Sequence, residues 1–587
     1  MRKLTVLSLA GLLILAFSAV GYAQAPKLEF RASGFIDVQT FIGEGVPAYS
    51  GTGAPAGTWG YVNPDYAKDA VGNVVTRGNT APGASILGNG LPATNGWNRT
   101  RSNWESRAHL KFDAVMGPNL SGTIYFEIDS VRWGSTFNTT ANTREANNFG
   151  AWTTDRTAVE VKNIYIDVGL PYFGVPWPIT VRLGAQPLGI RPHVLLYSDG
   201  TGITAGIKID PVLIMPIYAK ALEGVDFSDD DADIWGLHAN AKLGTFTLGA
   251  YGLTYRMNTY PFYVVTAPLL SNAGQVQGFS GIAIQAPGTF KSHMWWLGAY
   301  ADGKAGPVNL NFDFVYDYGS VDERQVRDIG LPLFGLNIPN VKYEGWMARA
   351  KVDFPWEKFN FGAVGMYATG SDTRRTSTSG LPGTSVAAAN VGSPGPNTPA
   401  ITRRVTSYVV PPGSENGAGA AGESVVVYNM EPGATGGYGI AANANYAAMS
   451  RGDFGGTWFA KLYASMKLAP WYKLTVQGLY IGDTTTNGDT FGNSVKYLQT
   501  KVTPTGGPAP TMLRDNNNIG WEFDLLNEIQ IYNNLRLFVG GGYLFAGDAL
   551  DVSTGHNSTF PSIAGSVPGN RKADNPWAVR TRLMYTF

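Results

Sequence analysis

Cysteine is absent from all 587 residues. That excludes disulfides, thiolate metal sites, covalently attached haem and an N-terminal lipid anchor, each of which needs the sulfur. Net charge is absent too: 44 Lys and Arg balance 44 Asp and Glu, so no basic field points to nucleic acid. Beyond residue 20 no apolar run approaches the ~20 residues of a spanning helix. A soluble chain this long would ordinarily divide into several domains of about 100 to 200 residues, yet no shift of composition marks a boundary. A membrane protein fits these absences only if it spans by strands, whose apolar residues occupy one face and never accumulate into a run.

What is present fits that exception. Glycine numbers 74 and aromatic residues make up 12% of the chain. The N-terminus reads Met1-Arg2-Lys3, an apolar stretch Leu4 to Val20, then Gly21-Tyr22-Ala23. That charged, apolar, small-residue order predicts a secretory signal over 1–23 cleaved after Ala23, with 24–587 as the mature protein.

Period-two alternation is clearest over residues 103–116. Trp104, Ser106, Ala108, Leu110, Phe112 and Ala114 share one face, and Glu105, Arg107, His109, Lys111 and Asp113 share the other. After the tight segment Gly117 to Gly122, the residues Ile124, Phe126 and Ile128 alternate with Thr123, Tyr125, Glu127 and Asp129. This is a hairpin with one greasy and one charged face. A soluble sandwich shows the same alternation, but it does not predict the connections.

Eighteen such strands can be read, from 28–40 to 577–587, including 179–187 and 202–210. Long connections after odd strands alternate with short turns after even ones, such as Leu243-Gly244-Thr245 and Tyr532-Asn533-Asn534. The prediction is an all-β transmembrane antiparallel up-and-down barrel with short periplasmic turns and long extracellular loops at 41–102, 257–292, 370–456 and 483–518. The last loop but one is long enough to cap the barrel or to fold into it. Trp104, Trp235, Trp295, Trp346, Trp458, Trp521 and Trp577 stand at one strand height on the apolar face, and Trp177, Trp356 and Trp471 lie beside short turns. Those are two aromatic girdles.

The inner face is the candidate functional surface. Expected pore-lining residues are Arg31, Glu105, Arg107, Lys111, Asp113, Glu127, Asp129, Arg182, Lys208, Arg349, Lys351, Glu522, Asp524, Arg580 and Arg582. Asp37, Asp313, Asp317 and Lys461 fall on the same face. Acids and bases are nearly equal, which leaves two readings. They pair as a structural lining, or Arg580 and Arg582, beside Arg31 across the seam, face Glu127 and Asp129 in a transverse field. On the last strand Trp577, Val579, Thr581, Leu583, Tyr585 and Phe587 face lipid. Tyr585 and Phe587 are expected to be the signal read by the barrel-assembly machinery, and the strand is expected to close against Leu28 to Val38.

Other motifs are weaker. The acidic run Asp226 to Asp233 could suit calcium, but Ile234 and Asn240 stand where an EF-hand needs Gly and Glu. A solvated loop is the simpler reading. His109, His193, His238, His293 and His556 are dispersed, so no metal or cofactor site is predicted. A rim protease or lipase is disfavoured because such enzymes are smaller, filled barrels.

Asn163-Ile164-Tyr165-Ile166-Asp167-Val168, Val181-Arg182-Leu183-Gly184-Ala185-Gln186, Ala368-Thr369-Gly370-Ser371-Asp372 and Gly520-Trp521-Glu522-Phe523-Asp524 resemble the alginate-export type of outer-membrane porin. So do Tyr532-Asn533-Asn534-Leu535 and Gly547-Asp548. The resemblance covers patches near 157–190, 359–372 and 519–587. It implies an eighteen-stranded monomeric barrel moving a polyanionic sugar through an arginine-rich lumen. Here the lumen is balanced, and Ala185 stands where that family would place a basic residue.

The function expected is passive diffusion of small hydrophilic solutes, with anionic or saccharide-like ones as candidates, through the outer membrane of a Gram-negative bacterium. Expected partners are outer-membrane lipid, lipopolysaccharide, the assembly machinery and the solutes. The alternative is a scaffold barrel holding a partner such as a multihaem cytochrome. An energy-coupled receptor is disfavoured because the first strand begins within a few residues of Ala23, leaving no room for a plug.

Overall fold

The computed structural model describes residues 27–44, 100–133, 159–170, 177–223, 230–258, 290–323, 341–370, 404–411, 414, 423–428, 454–485, 517–550, 552–554, 569–571 and 575–587. The predicted signal, the side chain of Asp129, and Asp226, Asp229 and His556 lie outside them.

Eighteen strands form the wall. They are β1 (Leu28–Glu44), β2 (Thr100–Met116), β3 (Leu120–Arg132), β4 (Glu160–Gly169), β5 (Ile179–Ile190), β6 (Leu196–Ile209), β7 (Val212–Leu222), β8 (Ala232–Leu243) and β9 (Phe246–Met257). The second half is β10 (Phe290–Ala305), β11 (Val308–Glu323), β12 (Val341–Trp356), β13 (Phe359–Ala368), β14 (Thr457–Ala469), β15 (Tyr472–Asp483), β16 (Asn518–Tyr532), β17 (Leu535–Ala546) and β18 (Trp577–Thr586). Each pairs antiparallel with its neighbours in sequence, and β18 pairs with β1. The sheet therefore closes. Closure satisfies the backbone groups that an open edge would leave bare in hydrocarbon.

The period-two pattern sets the two faces. Leu110, Phe112, Leu237, Leu297, Leu462, Phe523 and Leu525 are exposed on the outside, while Glu105, Arg107, His109 and Glu522, one residue out of phase, are buried within. Trp104, Trp235, Trp295, Trp346 and Trp521 stand exposed at one rim, and Trp177, Trp356 and Trp471 at the other. Polar groups inside and an apolar, aromatic-belted exterior suit hydrocarbon, not water, as the surrounding medium. The chain is a transmembrane β-barrel.

Most short turns connect even strands to odd ones. Gly244 and Gly306, with φ of 61° and 59°, open two of them, the left-handed first position of a two-residue hairpin. The predicted strict alternation fails at one place. β5 and β6 run farther than expected, to Ile190 and from Leu196, so the connection is only Arg191–Leu195. Gly189 and Gly200 lie in the 188–201 stretch expected as a long connection, but cross-strand pairing carries them as strand. The turn bends into the barrel. Arg191 takes a left-handed φ of 45°, and Val194 and Leu195 are fully buried.

The seam also differs from expectation. β18 pairs with Phe35 to Glu44, not with Leu28 to Val38. Leu28 to Gly34 continue on β2 toward the short-turn end, so strand stagger at closure, invisible in either strand alone, decides the register.

Candidate functional site

The interior has two levels. Toward the short turns the inner face is a wet vestibule lined by local ion pairs. Arg31 pairs with Glu29 at 2.9 Å, Lys111 with Asp113 at 3.0 Å, Arg182 with Asp167 at 2.7 Å, Lys351 with Asp353 at 3.2 Å and Lys473 with Glu528 at 2.6 Å. Three of these five are residues two apart on one strand, which period-two geometry places side by side on one face. Lys208 is exposed on the same level. A cleft of about 280 Å³ opens here between His193, Asn309, Asn311, Arg349, Lys351 and Asp353.

Halfway up, the inner-face charges are buried in tighter clusters. Glu127 is the centre of one cluster: Arg107 donates from Nε at 2.8 Å, Lys162 from Nζ at 2.7 Å, and His109 Nε2 lies 2.7 Å away. Lys162 also meets Asp199 at 2.9 Å. Lys162 was not anticipated because alternation assigns it no inward place. The register shift between Tyr125 and Phe126 pairs Asn163 and Val161 across from them and skips Lys162, a bulge that turns its side chain inward.

At the seam, Arg582 donates to Asp37 at 2.9 Å, with Asp37 completely buried. Arg580 is also fully buried, its guanidinium 5.0 Å from the Phe41 ring centre. Arg31 does not join them, since it lies opposite Asp113, outside the seam pairing. The expected alignment of Arg31 with Arg580 and Arg582 is therefore absent. Arg582 and Glu127 each have their counter-charge beside them, which removes the open transverse field between these two.

The wall from β5 to β12 corrects the expectation of a polar inner face all round. Leu253, Trp296, Val315, Tyr343 and Met347 are buried inside the barrel as an apolar core. Two inserted segments cover it. Arg191 reaches across to Asp302 at 2.7 Å and to Asp313, with its guanidinium 4.2 Å from the Tyr300 ring centre. The connection after β13 supplies the other. Arg404 and Val405 pair parallel with Lys342 and Tyr343 of β12, the Trp296 indole donates to the Val409 carbonyl at 2.8 Å, and the Tyr408 hydroxyl donates to the Val194 carbonyl. Asp317 accepts from the Gly345 and Val409 amides at 3.2 and 3.3 Å.

The same connection returns at 423–428. Glu423 accepts from Arg349 Nη2 at 2.6 Å and from Lys461 Nζ. Burial alone would raise its carboxyl, but Lys461 and Arg349 outweigh that and hold it at about 2. Beside it, Glu522 accepts from the Ser424 hydroxyl at 2.7 Å and from the Val426 and Val427 amides at 2.5 and 3.0 Å. Asp524 accepts from the Val425 amide at 3.2 Å and from Gln477 at 2.7 Å. The described parts of the 370–456 connection thus fold into the barrel. Glu423 and the valines gave no sequence signal, because the loop has no period and its partners lie on other strands.

In the acidic loop, Asp231 and Asp233 lie 2.6 and 3.5 Å from Lys220. That arrangement gives these two carboxylates a lysine as counter-charge.

No protein-family model matches the chain, and no curated protein matches it in sequence. Among solved structures, the outer membrane protein OpdK of Pseudomonas aeruginosa is similar at 8% identity and a TM-score of 0.41, covering 95% of this chain and 99% of its own. OccK11 (OpdR) of the same organism aligns at 8% and 0.40 over 95% and 96%. OmpT of Vibrio cholerae aligns at 9% and 0.32 over 97% and 100%.

Proposed function

We propose that the chain is an outer-membrane porin of a Gram-negative bacterium that passes small hydrophilic solutes by passive diffusion. The observation that carries this reading is a closed, apolar-coated wall around a vestibule lined by charged pairs, a wet surface that a membrane scaffold has no need to build. The predicted signal supports export. Tyr585 and Phe587, exposed on the lipid face, support a role as the assembly signal for the barrel-assembly machinery, and the belted exterior supports contact with lipid and lipopolysaccharide.

Pore-lining roles follow for the vestibule residues Arg31, Lys111, Asp113, Arg182, Lys208 and Lys351, whereas Glu522, Asp524 and Arg580 are covered. The 280 Å³ cleft sets Arg349, Lys351 and His193 beside Asn309, Asn311 and Asp353, a mixed polar lining with donors for anionic groups and both donors and acceptors for hydroxyls. Anionic or saccharide-like solutes are the classes this lining fits. Planar-bilayer recording of the purified, heat-modifiable protein is the test. Stepwise ion conductance is expected, and protein that is folded and inserted yet silent at all voltages would overturn the reading.

A further inference from the structure

The wall opposite the Glu423–Tyr428 segment lacks one side chain. Gly540, Gly541 and Gly542 follow one another in β17, and of the three it is Gly542 that faces the segment; a glycine inside a strand costs about 0.5–1 kcal/mol relative to alanine. Such a run marks a close approach by another backbone. At Gly542 the approach is visible: a Cβ there would lie 2.7 Å from the Val425 Cβ, 3.1 Å from Val426 Cγ2 and 2.4 Å from Asp524 Oδ1. The glycine thus leaves a notch that the valines fill.

The seat is otherwise made of side chains that hold a main chain. Glu522 and Asp524, both buried, accept successive amides of the segment, and Lys461 and Gln477 donate to the Glu423 carbonyl at 3.1 and 2.9 Å. The barrel wall does not depend on these bonds, since all eighteen strands are already paired with one another. By contrast, Arg404 and Val405 are stitched into the sheet itself.

At this height Val425, Val426, Val427, Glu522, Leu479 and Arg580 have no exposed surface, so among the described residues the segment and this side of the wall pack with no gap between them. We infer that Glu423–Tyr428 is a gate seated on Glu522, Asp524 and the Gly542 notch, and that conduction requires it to leave that seat. The inference rests on the porin reading above and goes beyond it.

The lack of native cysteine allows a direct test. Val426→Cys introduces one thiol at a position with no exposed surface, and a small charged methanethiosulfonate is applied to single channels in a bilayer. Modification is expected only while channels are open, and the added charge should then hold them open. Gly542→Val, which crowds the notch, should raise the open fraction and the modification rate several-fold. Channels that conduct while the thiol at 426 stays unmodified would overturn the gate and leave the porin standing. A silent protein whose thiol at 426 nonetheless reacts would overturn the porin reading and leave the undocking intact. A silent protein with an unreactive thiol would overturn both.

Discussion

Gly34 and Phe587 exchange two backbone hydrogen bonds, from the Gly34 amide to the Phe587 oxygen at 2.9 Å and from the Phe587 amide to the Gly34 carbonyl at 3.0 Å. They form the last rung of the seam. A Cβ on Gly34 would lie 2.2 Å from the His109 carbonyl and 3.0 Å from the Phe587 ring. The strand tolerates only glycine here because backbone, not a movable side chain, fills the space.

Gly34→Val should therefore block closure. We expect loss of the heat-modifiable band in semi-native electrophoresis, and the same loss on deleting Phe587. A normal band from Gly34→Val would show that the seam closes elsewhere.

Glu423→Gln removes the carboxylate that Arg349 and Lys461 share. Breaking a buried pair by removing one partner costs about 3–5 kcal/mol, so the 423–428 segment should loosen while the barrel stays folded. The readout is the modification rate of Val426→Cys in this background, expected to rise by at least tenfold. An unchanged rate would mean that the pair does not hold the segment.

The same carboxyl sets a pH window. Its value is about 2 when docked, against an ordinary 4.5. A depressed carboxyl stabilises the docked state fully above 4.5 and loses that contribution as pH falls from there through about 2. Undocking measured by thiol modification should hence be flat from pH 8 to 5 in its Glu423-dependent part and rise below 4.5. Glu423→Gln should abolish that rise, and a rise surviving the substitution would assign it to another group.

In the vestibule Lys111 is paired with Asp113 and Lys351 with Asp353, so removing one of a pair leaves the other without that counter-charge. Lys351→Gln frees Asp353 and should shift the zero-current potential in a KCl gradient toward cations. Asp113→Asn frees Lys111 and should shift it toward anions. Stability should fall by about 1 kcal/mol, because these pairs are only partly buried and keep some solvent screening. Shifts of one sign, or none, would place the limiting charges at another level.

Arg191→Ala should cost more. It strips Asp313, which is completely buried, of its guanidinium partner and removes the cation over Tyr300. We expect a loss of about 3–5 kcal/mol, read as a lower temperature for heat-modification, while Arg191→Lys recovers part of it. A thermal transition equal to that of the unsubstituted protein would show that the turn is not anchored by this residue.

The sequence by itself determined the wall. Alternation at period two is a local steric consequence of the extended backbone, so it identified the strands, their lipid face and both tryptophan belts, and it placed Lys111 beside Asp113 and Lys351 beside Asp353. It could not reach contacts made by closure or insertion. Asp37 meets Arg582 across 545 positions and Glu423 meets Arg349 across 74; neither pair has a spacing that a local rule could detect. The 188–201 stretch read as a long connection because its pairing is visible only between two strands, and Lys162 looked out of phase because a bulge is likewise a property of two strands together. Only tertiary structure decided that the described segments of the 370–456 connection, 404–411 and 423–428, enter the barrel. These aperiodic segments take their positions from the carboxylates, lysine, arginine and glycine notch that the wall presents once closed.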